Sequence, residues 1–191
     1  MRSSREKTQS EGVPSILIVT GASGAGKTTL VRELEALGLD GVRCYYFDSI
    51  GVPSPEEMKR RFGSGAEWQT WATEEWISRL VRNSDGAAVA VLDGQVRPST
   101  ARSALEVMGT RRSRVILIDC DHAERNARLR GPRGQPDLAQ ADMDCWAAYL
   151  RGQADALGLP IIDTSVLSVT EAVAALAAHV RELTQPETSP Q

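Results

Sequence analysis

Short runs of apolar residues alternate along the chain with longer stretches in which apolar positions recur at helical spacing. The apolar runs predict five buried strands, over residues 16–19, 42–47, 87–92, 115–118 and 160–162. The longer stretches predict helices over residues 27–37, 66–82, 121–130 and 137–157. Strands that alternate with helices pair in parallel and are covered by helices on both faces. The pattern therefore predicts an α/β fold of three layers around about five parallel strands.

The segment between the second and third predicted strands, residues 49–86, is longer than a simple crossover requires. It contains Pro53, Pro55 and a Gly63-Ser64-Gly65 break before the next helix. An insertion here overhangs the carboxyl ends of the strands, where open α/β sheets bind ligands. We therefore expect a helical substrate-binding insertion over about 49–86 and a short lid over about 125–137. Both would belong to one domain of residues 14–183, between a flexible leader (1–13) and a flexible tail (184–191).

The charge balance and the hydrophobic runs indicate whether the chain could bind a nucleic acid or a membrane. The chain has 191 residues with 22 basic and 25 acidic side chains, a formal net charge of −3 and 41% hydrophobic residues. A chain without an excess of positive charge is not expected to bind nucleic acid. No apolar run has the length of a membrane span or a signal peptide, and the three cysteines form no C-x-x-C pair. We expect a cytoplasmic protein with neither a nucleic acid nor a membrane as partner.

One motif carries specific chemistry. The segment after the first predicted strand matches G-x-x-x-x-G-K-[ST] in full and opens a helix, as a P-loop requires. Its glycines let backbone N–H groups turn toward phosphate oxygens, its lysine places a charge at the β- and γ-phosphates, and its threonine supplies a hydroxyl to Mg²⁺. We expect ATP and Mg²⁺ as cofactors, with the nucleotide held by Gly21, Ala22, Ser23, Gly24, Ala25, Gly26, Lys27 and Thr28. Thr29 is also a candidate, although packing or capping of the helix is the alternative.

Two carboxylates stand at the ends of other predicted strands. Asp93 follows the run 87–92, where a Walker-B-type acid would hold Mg²⁺ together with Thr28. Asp48 follows the run 42–47 and is placed to accept a proton from a substrate hydroxyl or to orient the acceptor. An ordinary turn is the alternative for Asp93, and an Asx turn or helix cap is the alternative for Asp48.

These motifs resemble the nucleoside-monophosphate-kinase-like group of P-loop kinases, which includes adenylate, shikimate and gluconate kinases and chloramphenicol phosphotransferase. The stretch Leu92-Asp93-Gly94-Gln95-Val96-Arg97 is similar to L-D-G-F-P-R of adenylate kinase, and Tyr46-Phe47-Asp48-Ser49 is similar to a segment of chloramphenicol phosphotransferase. The resemblance implies a three-layer P-loop NTPase fold, a magnesium role for Asp93, a base role for Asp48 and an acceptor-binding role for Arg97. Gln95 and Val96 replace Phe and Pro, which weakens the case for a nucleoside-monophosphate acceptor.

Further candidates come from an arginine cluster and from tryptophans. Arg128 and Arg133 fall in the expected lid and are candidates to stabilise the phosphoryl group in flight, with Arg125 and Arg130 less favoured and a solvated basic face as the alternative. Trp71 is a candidate wall of the substrate pocket, although Trp68, Trp71 and Trp76 together more often indicate packing. In similar kinases the loop at Asp163-Thr164-Ser165 lies beside the adenine base, but here Asp163 or Thr164 is expected to begin the turn into the last helix.

The motifs together predict an ATP- and Mg²⁺-dependent kinase that transfers the γ-phosphoryl group to a hydroxyl of a small molecule. The catalytic candidates are Lys27, Asp48, Arg128 and Arg133; the substrate-binding candidates are Asp48, Arg97 and Trp71. A nucleotide or nucleoside kinase is the alternative enzyme. A nucleotide-dependent ATPase or switch acting on a protein partner is the alternative of another class, but the chain has no N-K-x-D motif and little room for the helical lid domain of a motor ATPase.

Overall fold

The computed structural model describes residues 12–82, 85–110 and 112–185. The leader and tail expected at residues 1–13 and 184–191 therefore lie outside the described residues, except for residues 12, 13, 184 and 185. Five strands form one parallel sheet in the order β2-β3-β1-β4-β5. They are β1 (Ser15–Thr20), β2 (Val42–Tyr46), β3 (Val89–Asp93), β4 (Ser113–Asp119) and β5 (Ile161–Asp163). The prediction of an α/β fold on five parallel strands is confirmed.

Seven helices connect and cover these strands in the described part of the chain. They are α1 (Lys27–Ala36), α2 (Pro55–Phe62), α3 (Gly65–Arg82), α4 (Pro98–Val107), α5 (His122–Arg130), α6 (Ala141–Leu157) and α7 (Val169–Thr184). Helices α1 and α7 cover one face of the sheet, and α3, α4 and α6 cover the other. The three-layer arrangement is therefore present, and α2 packs on α3 outside the layers.

Several element ends differ from the sequence prediction for local reasons. Strand β2 stops at Tyr46 because Phe47–Ile50 forms a 3-10 helix. The helix predicted over 137–157 begins only at Ala141, since Pro136–Leu138 forms a separate 3-10 turn. The helix α4 has no counterpart among the predicted helices, and it begins at Pro98, whose fixed φ suits a first helical turn.

The core is divided by the alternation of side chains along the strands. On β1, Leu17 and Val19 point into the cluster shared with α1 and α7, whereas Ile16 and Ile18 point into the cluster shared with α3 and α4. All four side chains are fully buried. A central parallel strand that is buried on both faces must be apolar at every position, and this explains the unbroken run that first identified it.

The sheet topology determines where a ligand can bind. Strand β1 has β3 on one side and β4 on the other. The connection from β1 leads to β2 on the β3 side, whereas the connection from β3 crosses to β4 on the opposite side. Open α/β sheets hold their ligands in the crevice at such a switch point. Among the described residues, no helix combines the length and the apolar character that crossing a membrane requires.

The central position of β1 gives a stability prediction. Replacing the fully buried Ile18 by Ala is expected to lower the free energy of unfolding by about 2–5 kcal/mol, because it leaves a cavity between β1 and the helices on that face. Urea unfolding followed by circular dichroism measures this change. Val107→Ala, at a side chain that is 79% exposed, is the matched control and should change stability by less than about 0.5 kcal/mol. Equal effects of the two substitutions would contradict this account of the core.

Candidate active site

The loop between β1 and α1 is held close to the neighbouring strand. A Cβ atom on Gly21 would lie 2.1 Å from the carbonyl oxygen of Ile118 in β4, so only glycine fits there. Gly24, at a φ of 85°, packs against the side chains of Arg125 and Leu129. Helix α1 then begins at Lys27, and its first N–H groups face the crevice at the switch point. The local geometry is that of a P-loop.

Lys27 is a buried cation at the base of this loop. Its side chain is only 7% exposed, and its ammonium group donates a hydrogen bond of 3.0 Å to the carbonyl oxygen of Ala22. Burial lowers the pKa of Lys27 to about 8; nearby Asp93 and Asp48 raise it, and Arg133 lowers it further. Lys27, Asp48, Asp93 and Arg133 are therefore close enough to interact electrostatically.

Thr28 and Asp93 form the pair that could hold a metal ion. The Thr28 hydroxyl donates a 2.6 Å hydrogen bond to Oδ2 of Asp93. The other carboxylate oxygen, Oδ1, is buried and has no hydrogen-bond partner within the described ranges. Burial raises the pKa of Asp93, while Thr28 and Lys27 lower it. Hydroxyl and carboxylate oxygens are ligands that Mg²⁺ prefers, and the orphaned buried oxygen fits a site that gains a cation with its hydration shell.

Asp48 lies in the 3-10 helix that follows β2, the strand next to β3. Its carboxylate is exposed, whereas the neighbouring Phe47 is buried and anchored by helix α3. The Trp76 indole N–H donates a 2.9 Å hydrogen bond to the Phe47 carbonyl oxygen, and Trp68 meets the Phe47 ring edge to face. These two tryptophans therefore hold the turn that carries Asp48, which agrees with the packing interpretation.

Arg97 lies at the start of α4, just after Asp93. Its guanidinium group donates to the side-chain oxygen of Gln69 and lies 5.1 Å from the centre of the Trp146 ring. It forms no ion pair with a carboxylate of the described residues. Arg97 is thus half-buried with an unneutralised charge.

Trp71 packs against the neighbouring helix of the insertion. Its side chain is 42% exposed and contacts Phe62 of α2, at a ring separation of 5.1 Å. The aromatic ring beside Arg97 comes instead from Trp146 in α6. The role of Trp71 as a substrate-binding residue stays a prediction.

The four arginines of the expected lid have different surroundings. Arg133 is exposed, and its charge affects the pKa of both Lys27 and Asp93. Arg125 is 4% exposed and bonded to Asp144, so it packs behind the P-loop as a structural residue. Arg130 is exposed at the end of α5. Of the four, Arg133 is the one whose charge acts on both Lys27 and Asp93.

Arg128 lies on the other side of the loop, beside Gly26. Its guanidinium group donates to the hydroxyl and carbonyl oxygens of Thr164, both at 2.9 Å, and pairs with Glu124. The Thr164 hydroxyl in turn donates to the carbonyl oxygen of Ala25 in the P-loop. The expectation of a plain turn at Thr164 was incomplete, because this buried side chain fastens β5 to the loop.

A small, mostly apolar cavity adjoins this contact. It has a volume of about 190 Å³ and is lined by Thr29, Leu30, Arg128, Thr164, Leu167 and Val169. It opens next to the start of α1. Thr29 therefore lies on the side of the cavity, away from the Thr28 and Asp93 pair.

Comparison with known proteins places these features in a family. A family model described as an AAA domain matches residues 17–145. The chain belongs to this family. Its fold is that of the nucleoside-monophosphate-kinase-like group of P-loop proteins, as the resemblance implied. A search of curated proteins found no match.

Solved structures share the fold of this AAA domain at low sequence identity. A shikimate kinase from Acinetobacter baumannii, in complex with shikimate, is 18% identical with a TM-score of 0.53, over 91% of this chain and 96% of that one. A gluconokinase from Sinorhizobium meliloti 1021 is 15% identical with a TM-score of 0.57, over 91% of this chain and 95% of that one. The likeness extends over nearly the whole length of each protein and concerns the fold.

Three polar or aromatic residues of this AAA-domain site escaped the sequence prediction. Gln69 in α3 and Trp146 in α6 contact Arg97 from distant parts of the chain, and neither stands in a recognisable motif. Thr164 follows directly after β5, and its position at a strand end was the one signal that could have indicated it. Gln95, noted only as a departure from the related kinases, joins the P-loop by accepting a hydrogen bond from Ser23.

The buried Lys27 gives a prediction about stability and pH. Its pKa is about 8 in the folded protein and near 10.5 without burial, so the unfolded chain binds more protons between these values. The wild type should therefore gain about 1–2 kcal/mol of unfolding free energy relative to Lys27→Met between pH 7.5 and 9.5. Urea unfolding at the two pH values measures this difference. Lys59→Met, at an exposed lysine of α2, should show no such trend, and a flat difference for Lys27→Met would contradict the buried-charge account.

Proposed function

We propose that this protein is an ATP- and Mg²⁺-dependent kinase that transfers the γ-phosphoryl group of ATP to a hydroxyl of a small molecule. The observation that carries the proposal is the convergence of Lys27, Asp93, Asp48 and Arg133 at the carboxyl ends of β1, β3 and β2. A phosphate-binding loop explains Lys27, but it does not by itself require a second acid beside an adjacent strand. The exposed Asp48 supplies the group that a transfer to a hydroxyl needs.

The P-loop and its lysine would hold the donor. Backbone N–H groups of residues 21–28 surround the β- and γ-phosphates, and the Lys27 ammonium group neutralises their charge. Thr28 and Asp93 would hold Mg²⁺, which draws charge from the phosphate oxygens when bound. The nucleoside would enter the cavity beside Arg128 and Thr164, where the apolar walls Leu30 and Leu167 suit the flat face of a base.

The transfer itself needs a base and a cation. The hydroxyl oxygen of the acceptor bonds to the γ-phosphorus while the bond from that phosphorus to the oxygen of ADP breaks. Asp48 accepts the proton that the hydroxyl loses, and the charge that develops on the transferred group is stabilised by Lys27 and Arg133. Because Arg133 lies in the glycine- and proline-rich segment after α5, it can approach the phosphates as that segment closes.

The acceptor would lie between Asp48 and Arg97. Arg97 is a half-buried cation without a carboxylate partner among the described residues, so an acceptor with an anionic or strongly polar group would neutralise it. Small polyhydroxylated acids and phosphorylated alcohols have both the hydroxyl and the anionic group. The shikimate and gluconate kinases with the same fold support small hydroxylated acceptors as the first compounds to test.

Release of ADP with a panel of acceptors tests the proposal. The panel contains hydroxy acids, sugars, amino alcohols, nucleosides and nucleoside monophosphates, each incubated with ATP and Mg²⁺ and the purified chain. Acceptor-dependent ADP release with a phosphorylated product is expected for one class, and phosphorylation of a nucleoside or nucleotide would instead support the alternative kinase. ATP hydrolysis that depends on a protein partner and on no small molecule would overturn the proposal.

Two variants separate the proposed roles of Lys27 and Asp48. Lys27→Ala is expected to lower transfer by at least about 100-fold, because it removes the charge at the transferred phosphate. Asp48→Asn should lower kcat by about 100-fold or more and change ATP affinity by less than about threefold. Asp40→Asn, at an exposed acid after α1, is the control and should retain wild-type kinetics. An equal loss of kcat and ATP affinity in Asp48→Asn would assign Asp48 to the turn alone.

The nucleoside cavity has its own test. Val169 lines the cavity and is 52% exposed, so Val169→Trp should fill part of the 190 Å³ space without a large change in stability. We expect ATP affinity, measured by calorimetry, to fall about tenfold or more because the base and the new ring compete for the same volume. Val107→Trp, at an exposed position of α4, should leave the affinity unchanged. Unchanged binding in Val169→Trp would place the nucleoside elsewhere.

A further inference from the structure

Both the oxygen and the NH₂ group of the Gln69 side-chain amide form hydrogen bonds. Its oxygen accepts a hydrogen bond from the guanidinium group of Arg97, and its NH₂ group donates a 2.7 Å hydrogen bond to the main-chain oxygen of Gln95. A guanidinium group can only donate and a carbonyl oxygen can only accept, so the amide has one orientation that satisfies both. Gln69 therefore joins the start of α4 to the loop that precedes it.

Gln95 extends this connection to the P-loop. Its side-chain oxygen accepts a 2.9 Å hydrogen bond from the hydroxyl of Ser23, the third residue of the loop. The next residue, Val96, is fully buried, and its N–H and carbonyl groups both bond to the Thr20 hydroxyl at the end of β1. Thr20 therefore holds the backbone next to Gln95, and the hydrogen bonds from Gln69 to the main-chain oxygen and from Ser23 to the side-chain oxygen meet on Gln95 itself.

Gln69 itself is firmly placed on α3. The main-chain carbonyl oxygen of Gln69 accepts a 2.7 Å hydrogen bond from the hydroxyl of Thr73, a side chain that is fully buried. The adjacent Trp68 packs edge to face on Phe47, and this fixes the same stretch of helix against the turn that carries Asp48. The helix therefore supplies a rigid base from which the amide holds Arg97.

We propose that Gln69 is a positioning residue that couples the acceptor side of the site to the nucleotide side. It acts through Arg97 at one end and through Gln95 and Ser23 at the other, and the inference rests on the proposed role of Arg97 toward the acceptor. Groups in one hydrogen-bond network influence each other by more than their separate contributions. Any ligand that engages Arg97 therefore changes the affinity of the P-loop for nucleotide, and the nucleotide changes the affinity for that ligand by the same factor.

A mutant cycle on nucleotide binding tests the coupling without knowledge of the acceptor. The probe is a fluorescent ATP analogue with an N-methylanthraniloyl group on its ribose, titrated with Mg²⁺ present into the full chain. Ser23→Ala and Arg97→Ala, which have no contact with each other, are measured singly and together in the wild type and in Gln69→Leu. In the wild type the double variant should depart from the product of the single effects by about threefold or more. In Gln69→Leu the effects should multiply, and a departure that persists there overturns the proposal.

A second substitution separates the two ends of the amide. Gln69→Glu keeps a partner for Arg97 but cannot donate to Gln95, so the coupling should disappear although Arg97 stays in place. Thr70→Ala, at the next residue of α3, removes a hydroxyl that donates to the main-chain oxygen of Ala66 and should preserve the coupling. Loss of the coupling in Thr70→Ala, or its survival in Gln69→Glu, would overturn the role of Gln69.

The same mutant cycle, measured on the free energy of unfolding, separates a failure of this inference from a failure of the proposed function. If the analogue does not bind the wild type, the proposed kinase function is overturned, and the four variants are compared by urea unfolding instead. Non-additive unfolding free energies of Ser23→Ala and Arg97→Ala that become additive in Gln69→Leu support the connection through Gln69. Additive values in the wild type overturn it.

Discussion

The pairing of β1 with its two neighbours is the constraint on which the site depends. In the parallel register of β1 and β3, Asp93 lies beside Val19, which is two residues before Gly21, the first residue of the P-loop. On the other side, the carbonyl oxygen of Ile118 in β4 comes so close to Gly21 that no side chain fits between them. A shift of one residue in either register would send Asp93 to the opposite face of the sheet or open the loop. The chemistry of the site is therefore set by the backbone before any side chain is considered.

The site contains two buried charged side chains, Lys27 and Asp93, whose loss of hydration lowers the stability of the folded protein. Lys27 and Asp93 both lose hydration. Burial lowers the pKa of Lys27 and raises the pKa of Asp93, and both shifts favour the neutral form of the group. Their mutual attraction and the hydrogen bonds from Thr28 and to Ala22 offset part of that cost. A ligand that brought opposite charges to Lys27 and Asp93 would offset the rest of that cost, so ligand binding and folding stability are expected to be closely linked. The cluster has the character of a site arranged for a ligand more than for the stability of the free protein.

The sequence predicted those parts of the site that have local signals. The strands are short apolar runs, the P-loop is a complete motif, and Asp48 and Asp93 follow strand ends, so the fold and these positions could be inferred directly. Gln69 and Trp146 have no such signals, and the strand-end position of Thr164 indicated only a turn, because the contacts of all three depend on how α3, α6 and β5 pack around the sheet. The tryptophans of α3 illustrate this. Their spacing groups them on one helix, but only the packing shows that Trp68 and Trp76 hold the Asp48 turn whereas Trp71 contacts Phe62 of α2.

The placement of the tryptophans also gives the molecule a built-in optical reporter. Of its four indole rings, Trp68 and Trp76 contact the segment that carries Asp48, and Trp146 lies against the guanidinium group of Arg97. A positive charge near an indole ring and a hydrogen bond from its N–H group both alter the emission of the ring. Intrinsic fluorescence therefore reports on the Asp48 and Arg97 side of the crevice, while the P-loop, which has no aromatic residue, contributes no signal of its own.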